Sequence, residues 1–389
     1  MKHTIYCMVL MGILIGNTVK AQDCRCKTDF DQLNLLLRKT PAYKDHKKAY
    51  EENHLKLQSI VGKVSLDYDC LVLLNRLALG LNDNHSNIFG LADKNAVKIQ
   101  KTKMNLDSLE QALAAKPFTA IEGVYSLPKY VTLGLYKEQE TYIGVILASQ
   151  LPNWDAGDIM YTLLPYGKDL HLAIFGQGKS KRIVAVSERI KHGMFLKLGL
   201  RKNKEAQAFH LAPEPDSLFI KKELDNAISY IKTGSFSSFY PKLADAEAFY
   251  ASLQDKLTKK HLIVDLRDNT GGGERNSNIL LELLTTYAQN NKLYVLINHN
   301  TASNAEQFTL KLKQLPNTTI LGDRTQGTLA YELKKNISNP LGCGKFVAIV
   351  TSKRHKEYLP FESKGIEPDM LLEYDRDWIT QTMEFINAH

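Results

Sequence analysis

The spacing of apolar residues changes twice along the chain. Between residues 28 and 115, apolar positions recur at helical spacing, for example from Leu71 to Leu79, and this period predicts a helical region. Between residues 117 and 201, short β-rich runs alternate with Gly, Pro, Asn and Asp, which predicts a small antiparallel barrel or sandwich. The predicted strands are Tyr130 to Leu135, Thr141 to Leu147, Ile159 to Leu164, Leu170 to Phe175 and Arg182 to Val186.

From about Leu218 the pattern alternates between strand and helix. A buried strand is predicted from His261 to Leu266, followed by three glycines and a helix. Further strands are predicted at Leu293 to Ile297, Thr318 to Leu321 and Phe346 to Thr351. This alternation predicts an α/β core with a mainly parallel sheet. In such sheets, functional residues lie just past the carboxyl ends of the strands.

The first residues have the features of a secretory signal peptide. Lys2 and His3 give a basic start, residues 7–15 form an apolar run, and Val19-Lys20-Ala21 resembles a cleavage site. We therefore expect a signal peptide over 1–21, a helical region over 22–115, a β-rich domain over 116–215 and an α/β core over 216–389. The mature protein is expected to be secreted or periplasmic. No later stretch has the ~18 to 20 apolar residues of a membrane span.

Charge and cysteine content narrow the possible functions. The net charge of +8 is spread along the chain, without the basic stripe or motif of a nucleic-acid-binding protein. Neither H-E-x-x-H nor paired Cys/His ligand spacing occurs, so we expect no metal and no cofactor. Four cysteines remain after signal cleavage, which allows two disulfides in an exported protein; Cys70 is then a partner for Cys24 or Cys26. Four free thiols are the alternative.

Two segments carry residues suited to acyl transfer. Gly271, Gly272 and Gly273 follow a predicted strand, and glycines there let backbone N–H groups approach a ligand. Ser303 lies at a predicted helix N-terminus, where backbone N–H groups favour negative charge. Acyl transfer needs both a hydroxyl that attacks and N–H donors that hold the oxyanion. Alternatively, Ser303 and Glu306 form only a capping box, and the glycines form only a tight turn.

Three motifs occur in the same order and at similar intervals as in one enzyme family: D-x-R-x-N-x-G-G from Asp265, T-x-S-x-A-E from Thr301 and G-I-E-P-D from Gly365. An upstream segment from Leu81 resembles the L-x-D-x-H element of the same family. In this combination the chain resembles the C-terminal-processing, or tail-specific, serine peptidases, a family that includes tricorn protease and interphotoreceptor retinoid-binding protein. The resemblance covers about residues 218 to 375 well and the β-rich middle weakly. It implies a peptidase core of the ClpP/crotonase-like type that acts on peptides or proteins.

The resemblance also implies roles for individual residues around the scissile bond. Ser303 corresponds to the nucleophile that forms an acyl-enzyme. The oxyanion hole would consist of the Asn304 N–H and the N–H of Gly271 or Gly272. One branch of the family uses a lysine base soon after the nucleophile, but Thr328 occupies that position here.

The tricorn-like branch uses a histidine base, and His85 in the L-x-D-x-H element matches it. A histidine with a pKa near ~6.5 suits general-base chemistry at neutral pH. Glu362 matches the acidic residue of that branch and would support the His85 region. Asn84 replaces the second serine of the tricorn-like tetrad, which is a departure from the pattern.

Two other functions are compatible with the same motifs. A peptidase fold does not guarantee activity, so a binding protein on a catalytically decayed peptidase fold is one alternative, and the presence of Asn84 favours it. An esterase-type acyl hydrolase that uses the same residues is the other. Taken singly, His85 is compatible with an ordinary loop histidine, and Glu362 with a surface carboxylate.

Overall fold

A computed structural model describes residues 25–91, 99–167, 169–177, 181–214, 216–333 and 338–389. The predicted signal peptide and Cys24 lie outside these residues. Within the described part of the chain, none of the helices has the length and apolar character needed to cross a membrane.

The N-terminal region is mainly helical, as its apolar period predicts. Its elements are α1 (Cys26–Leu37), α2 (Pro41–Val61), α3 (Asp67–Leu79), β1 (Asn87–Gly90) and α4 (Leu106–Ala114). The first three helices pack through fully buried leucines such as Leu33 and Leu74. A disulfide between Cys26 and Cys70 joins α1 to α3. The prediction of helix throughout this region was wrong at β1, which forms strand pairs with a distant segment.

The middle of the chain folds into a six-stranded antiparallel sheet in sequential order. Its strands are β2 (Gly123–Leu127), β3 (Val131–Glu138), β4 (Thr141–Ser149), β5 (Ile159–Tyr166), β6 (Leu170–Gln177) and β7 (Arg182–Glu188). A short hairpin of β8 (Ile190–Lys191) and β9 (Met194–Phe195) follows. The five predicted strands are all present, because alternating apolar residues between turn residues define them locally.

The C-terminal core is a second six-stranded sheet with helices. Its strands are β10 (Phe219–Glu223), β11 (Ile228–Thr233), β12 (His261–Asp265), β13 (Lys292–Ile297), β14 (Thr318–Gly322) and β19 (Met370–Leu371), in that order across the sheet. All neighbouring pairs are parallel except β10 with β11. The helices are α5 (Lys242–Leu253), α6 (Glu274–Ala288), α7 (Asn304–Lys313) and α8 (Trp378–Ala388). The α/β fold class is thereby confirmed.

Short elements between β14 and β19 connect the core to the N-terminal region. They are β15 (Tyr331–Glu332), β16 (Asn339–Pro340), β17 (Phe346–Ile349), β18 (Lys353–Arg354) and a 3₁₀ helix (Lys356–Phe361). The predicted strand at Phe346 exists, but it pairs antiparallel with β1 and not with the parallel sheet. The pairing begins at Asn87 and Ile349. Since Asn87 follows His85 by two residues, this pairing carries the His85 loop to the core.

Candidate active site

Ser303 stands at the turn between β13 and α7, past the carboxyl end of the strand. Its backbone has φ 57° and ψ −128°, a conformation that non-glycine residues rarely adopt and that costs about 1 to 3 kcal/mol. The glycine turn lies against it. A Cβ added to Gly271 would stand 3.0 Å from the Ser303 Cβ and 2.7 Å from the Asn304 nitrogen. A side chain at Gly271 would therefore displace the serine.

His85 reaches Ser303 from 218 positions upstream in the sequence, and its Nε2 lies 3.0 Å from the Ser303 Oγ. The loop that carries His85 is held by Asp83, whose carboxylate accepts hydrogen bonds from the backbone N–H groups of His85 and Ser86. The same carboxylate accepts a hydrogen bond from the Thr351 hydroxyl next to β17. Asp83 was not among the predicted site residues, although it is the Asp of the L-x-D-x-H motif.

The surroundings of His85 keep its ring neutral near pH 7. Burial lowers the pKa of His85 below its ordinary value of 6.5, and the negative charges of Asp83 and Glu332 only partly oppose this effect. The ring nitrogen Nδ1 is buried without a regular hydrogen bond. The Tyr331 backbone is nonetheless close enough to favour the protonated ring. A neutral ring whose Nδ1 carries the proton leaves Nε2 free to accept the Ser303 proton.

Glu362 is buried, at 2% exposure, behind the His85 loop. One carboxyl oxygen accepts a hydrogen bond from the Asn84 N–H at 3.0 Å. The other accepts from the N–H groups of Leu329 and Ala330 at 2.9 and 2.7 Å. Burial raises the pKa of Glu362 to about 8, although these three N–H donors favour the ionised form. Glu362 thus contacts the residue before His85 and joins it to the segment before β15.

Asn84, which replaces a serine of the tricorn-like pattern, is also engaged. Its side-chain Nδ2 donates a hydrogen bond to the Gly327 carbonyl at 2.8 Å. Its Oδ1 accepts a longer hydrogen bond, of 3.4 Å, from the Ser363 hydroxyl. The amide therefore fixes the His85 loop to the segments around Gly327 and Glu362 on the core side.

Glu306 does more than complete a helix cap. As the capping box predicts, its carboxylate accepts a hydrogen bond from the Ser303 N–H, at 3.1 Å. It also accepts from the N–H groups of Gly327 and Thr328 and from the Thr325 hydroxyl. Full burial raises the pKa of Glu306 to about 7. The Glu of the T-x-S-x-A-E motif thereby connects the nucleophile turn to residues 325–328, a role that helix-capping rules alone do not predict.

The backbone N–H groups near Ser303 differ in their availability. The Gly271 N–H donates to the Asn269 side chain at 2.9 Å, so the alternative in which Gly271 supplies an oxyanion donor is not supported. Across the described ranges, the N–H groups of Gly272 and Asn304 have no acceptor. Asn304 is the first residue of α7, where an unpaired N–H group is expected. Of the predicted oxyanion donors, Gly272 and Asn304 are therefore free.

The site has neither a lysine at the position of the family's lysine base nor, among the described residues, a metal-binding cluster. Thr328, at the position of the family's lysine base, donates its backbone N–H to Glu306. Among the residues whose structure is described, no cluster of three or more His, Cys, Asp or Glu side chains could hold a metal ion.

Residues 273–372 match the sequence model of peptidase family S41. No curated protein matches the chain. Similar solved structures include a putative peptidase from Parabacteroides merdae, with 14% identity over 94% of this chain and 98% of that one and a TM-score of 0.42. Mature CPAF has 12% identity over 93% and 96%, with a TM-score of 0.48. Tricorn protease has 13% identity over 93% and 37%, with a TM-score of 0.45. Because the identities and TM-scores are this low, these structures give no support beyond the match to the family model.

Proposed function

We propose that this chain, whose residues 273–372 match the model of peptidase family S41, hydrolyses peptide bonds through an acyl-enzyme on Ser303. The observation that carries this proposal is the distance of 3.0 Å between the His85 Nε2 and the Ser303 Oγ. Nucleophile and base side chains within hydrogen-bond reach are the basic arrangement of nucleophilic acyl transfer.

In the acylation step, the Ser303 Oγ attacks the scissile carbonyl carbon while His85 Nε2 takes the hydroxyl proton. The carbonyl oxygen becomes an oxyanion, and the N–H groups of Gly272 and Asn304 hold it. The tetrahedral intermediate collapses when the C–N bond breaks and His85 gives its proton to the leaving amine. A water molecule then hydrolyses the ester, with His85 again acting as the base.

Glu362 acts in this proposal as a positioning residue. It touches the Asn84 N–H and the N–H groups of residues 329 and 330, so it sets the position of the loop that carries His85. Asn84 supports the same loop through the Gly327 carbonyl. Glu306 fixes the nucleophile turn in the same way, through the Ser303 N–H. The three side chains therefore set the geometry between base and nucleophile without contacting the substrate.

We further propose that the mature protein is exported, after removal of residues 1–21. The basic start and apolar run of that segment support export, and so does the disulfide between Cys26 and Cys70, since disulfides persist in oxidising compartments. N-terminal sequencing of the protein from its native envelope tests this proposal. A start near Gln22 is expected, and an intact Met1 on cytosolic protein would refute export.

A matched substrate panel tests the hydrolase assignment. We expect wild-type protein to cleave peptides and Ser303→Ala to cleave none, while the two have the same circular dichroism spectrum. Cleavage of esters but of no peptide would identify an esterase. Peptide binding without any Ser303-dependent turnover would identify a decayed peptidase fold that binds its ligand.

A further inference from the structure

Two consecutive aromatic side chains are exposed in the loop between β11 and α5. Phe239 is 75% exposed and Tyr240 is 65% exposed. Single exposed aromatic residues are common, but adjacent ones form a continuous apolar surface of the kind that contacts ligands. Phe236 of the same loop, in contrast, is fully buried in the core.

Backbone hydrogen bonds fix this loop to the glycine turn. The Phe236 N–H donates to the Gly271 carbonyl at 3.0 Å, and the Gly273 N–H donates to the Phe236 carbonyl at 2.8 Å. The Asn276 side chain donates to the Ser237 carbonyl at 2.8 Å. The aromatic pair is therefore held in a fixed position relative to the turn that supplies the proposed oxyanion donor.

The aromatic pair lies within reach of a peptide bound at Ser303. Gly271, whose carbonyl accepts the Phe236 hydrogen bond, lies in contact with Ser303. Phe239 follows Phe236 by three residues, so their Cα atoms are at most about 11 Å apart. An extended peptide advances about 3.3 Å per residue. The contacts of Gly271 with Ser303 and with Phe236 add about 5 Å each, so the pair is at most about 21 Å from Ser303. Side chains up to about six residues from the scissile bond can therefore meet the pair.

This surface is apolar at Phe239 and charged beside Tyr240, where Arg275 pairs with Glu247 at 3.8 Å. The Arg275 guanidinium stands over the Tyr240 ring, 5.9 Å from its centroid, and this cation–π contact holds the ring in place. In the described part of the chain, the other phenylalanines of this region stack elsewhere, and no aromatic ring packs against Phe239. A flat aromatic or branched aliphatic side chain of a substrate would cover both rings.

We propose that Phe239 and Tyr240 select substrates by binding an aromatic or large aliphatic side chain within about six residues of the scissile bond. This inference rests on the proposed peptidase function and adds the substrate class. The two rings are specificity-determining residues that act on binding, and neither takes part in proton transfer. Continuity with the glycine turn argues for the peptide substrate as the occupant, and not for a second copy of the chain.

The test is a cleavage profile on a peptide library made from a digested proteome. Wild-type protein is compared with the double variant Phe239→Ser, Tyr240→Ser and with the conservative variant Phe239→Leu. Tyr130→Ser is the matched control, because Tyr130 is 54% exposed in the β-rich region. Labelling of Ser303 by a fluorophosphonate checks that the site is intact in every variant.

We expect wild-type cleavage sites to be enriched in aromatic and large aliphatic residues near the cut bond. The preference should fall by about 10-fold in the double variant, the lower range for a hydrophobic contact, while labelling of Ser303 is unchanged. Phe239→Leu should keep most of the preference, and Tyr130→Ser should keep all of it. A wild-type profile without this preference, or one that the double variant retains, would overturn the inference. If Ser303→Ala still cleaves peptides, or if wild-type protein cleaves none, the proposed peptidase function would instead be refuted.

Discussion

Substitution of Glu362 distinguishes a carboxyl that positions the His85 loop from one that supplies charge to His85. Glu362 accepts one hydrogen bond from Asn84 and two from residues 329 and 330. In Glu362→Gln, the amide oxygen can keep the two hydrogen bonds from residues 329 and 330, while its NH₂ group faces the Asn84 N–H. Glu362→Ala loses all three hydrogen bonds and leaves a cavity.

The expected effects follow from this count. At about 1 to 1.5 kcal/mol for each hydrogen bond, Glu362→Ala loses about 3 to 4.5 kcal/mol and Glu362→Gln loses about 1 to 1.5 kcal/mol. If the lost energy displaces His85 from Ser303, each 1.4 kcal/mol added to the activation free energy slows acylation by about tenfold. We therefore expect labelling of Ser303 to slow by about 10²- to 10³-fold in the Ala variant and by about 10-fold or less in the Gln variant.

Labelling rates are measured with a fluorophosphonate probe, and folding is checked by circular dichroism and thermal unfolding. If a folded Glu362→Gln variant were as slow as Glu362→Ala, the negative charge would matter and the positioning role would be wrong. Labelling of Glu362→Ala at the wild-type rate would show that Glu362 has no role in placing His85.

Three further predictions concern the donors, the base and the turn. Asn304→Pro should slow peptide cleavage by about 10²- to 10³-fold, because it deletes one oxyanion N–H. Proline is tolerated at this first helical position, and the control Asn304→Ala should retain activity. Equal losses of activity in the two folded variants would contradict the role of Asn304 as a donor. His85→Ala should lower kcat/KM by about 10²- to 10⁴-fold. Because burial lowers the pKa of His85, wild-type kcat/KM should rise with pH through a limb below 6.5, and a limb well above this value would point to another base. Ser303→Gly should be more stable than Ser303→Ala by about 1 kcal/mol in urea unfolding, since φ at this residue is positive; the reverse order would contradict the strained turn.

The pH dependence of stability gives a separate check on Glu362. Its pKa is raised from 4.5 to about 8 in the folded protein. Its contribution to stability is therefore fully present below pH 4.5 and is lost as the pH rises through about 8. Urea unfolding at several pH values should show a shallower decline for Glu362→Gln than for wild-type protein. Parallel declines for the two proteins would show that Glu362 ionises normally.

The features that the sequence predicts well are local ones. The period of apolar residues defines α3 and the strands β3 to β7, because one buried face repeats within each element. The turn at Ser303 is equally local, since a strand, a polar loop and the Ser303–Glu306 capping pattern are adjacent in the chain. The pairing of His85 with Ser303, in contrast, is predicted only from the family motifs, because no local pattern in the sequence shows that the two residues are close.

The remaining features depend on contacts between distant segments. No local pattern shows that β1 pairs with β17, because either strand could pair with any exposed edge. The engagement of the Gly271 N–H by Asn269 depends on a side-chain rotamer, so the choice between Gly271 and Gly272 stays open in the sequence. Likewise, the four hydrogen bonds to Glu306 converge only when residues 325–328 return to the nucleophile turn.

Fluorophosphonate labelling of wild-type protein at neutral pH, with the modified residue identified by mass spectrometry, tests directly whether Ser303 is the nucleophile. We expect a single covalent adduct on Ser303. Labelling should slow by about 10²- to 10⁴-fold in folded His85→Ala, the range for loss of a positioned general base. Absence of an adduct on Ser303, or labelling of His85→Ala at the wild-type rate, would contradict a Ser303 nucleophile activated by His85.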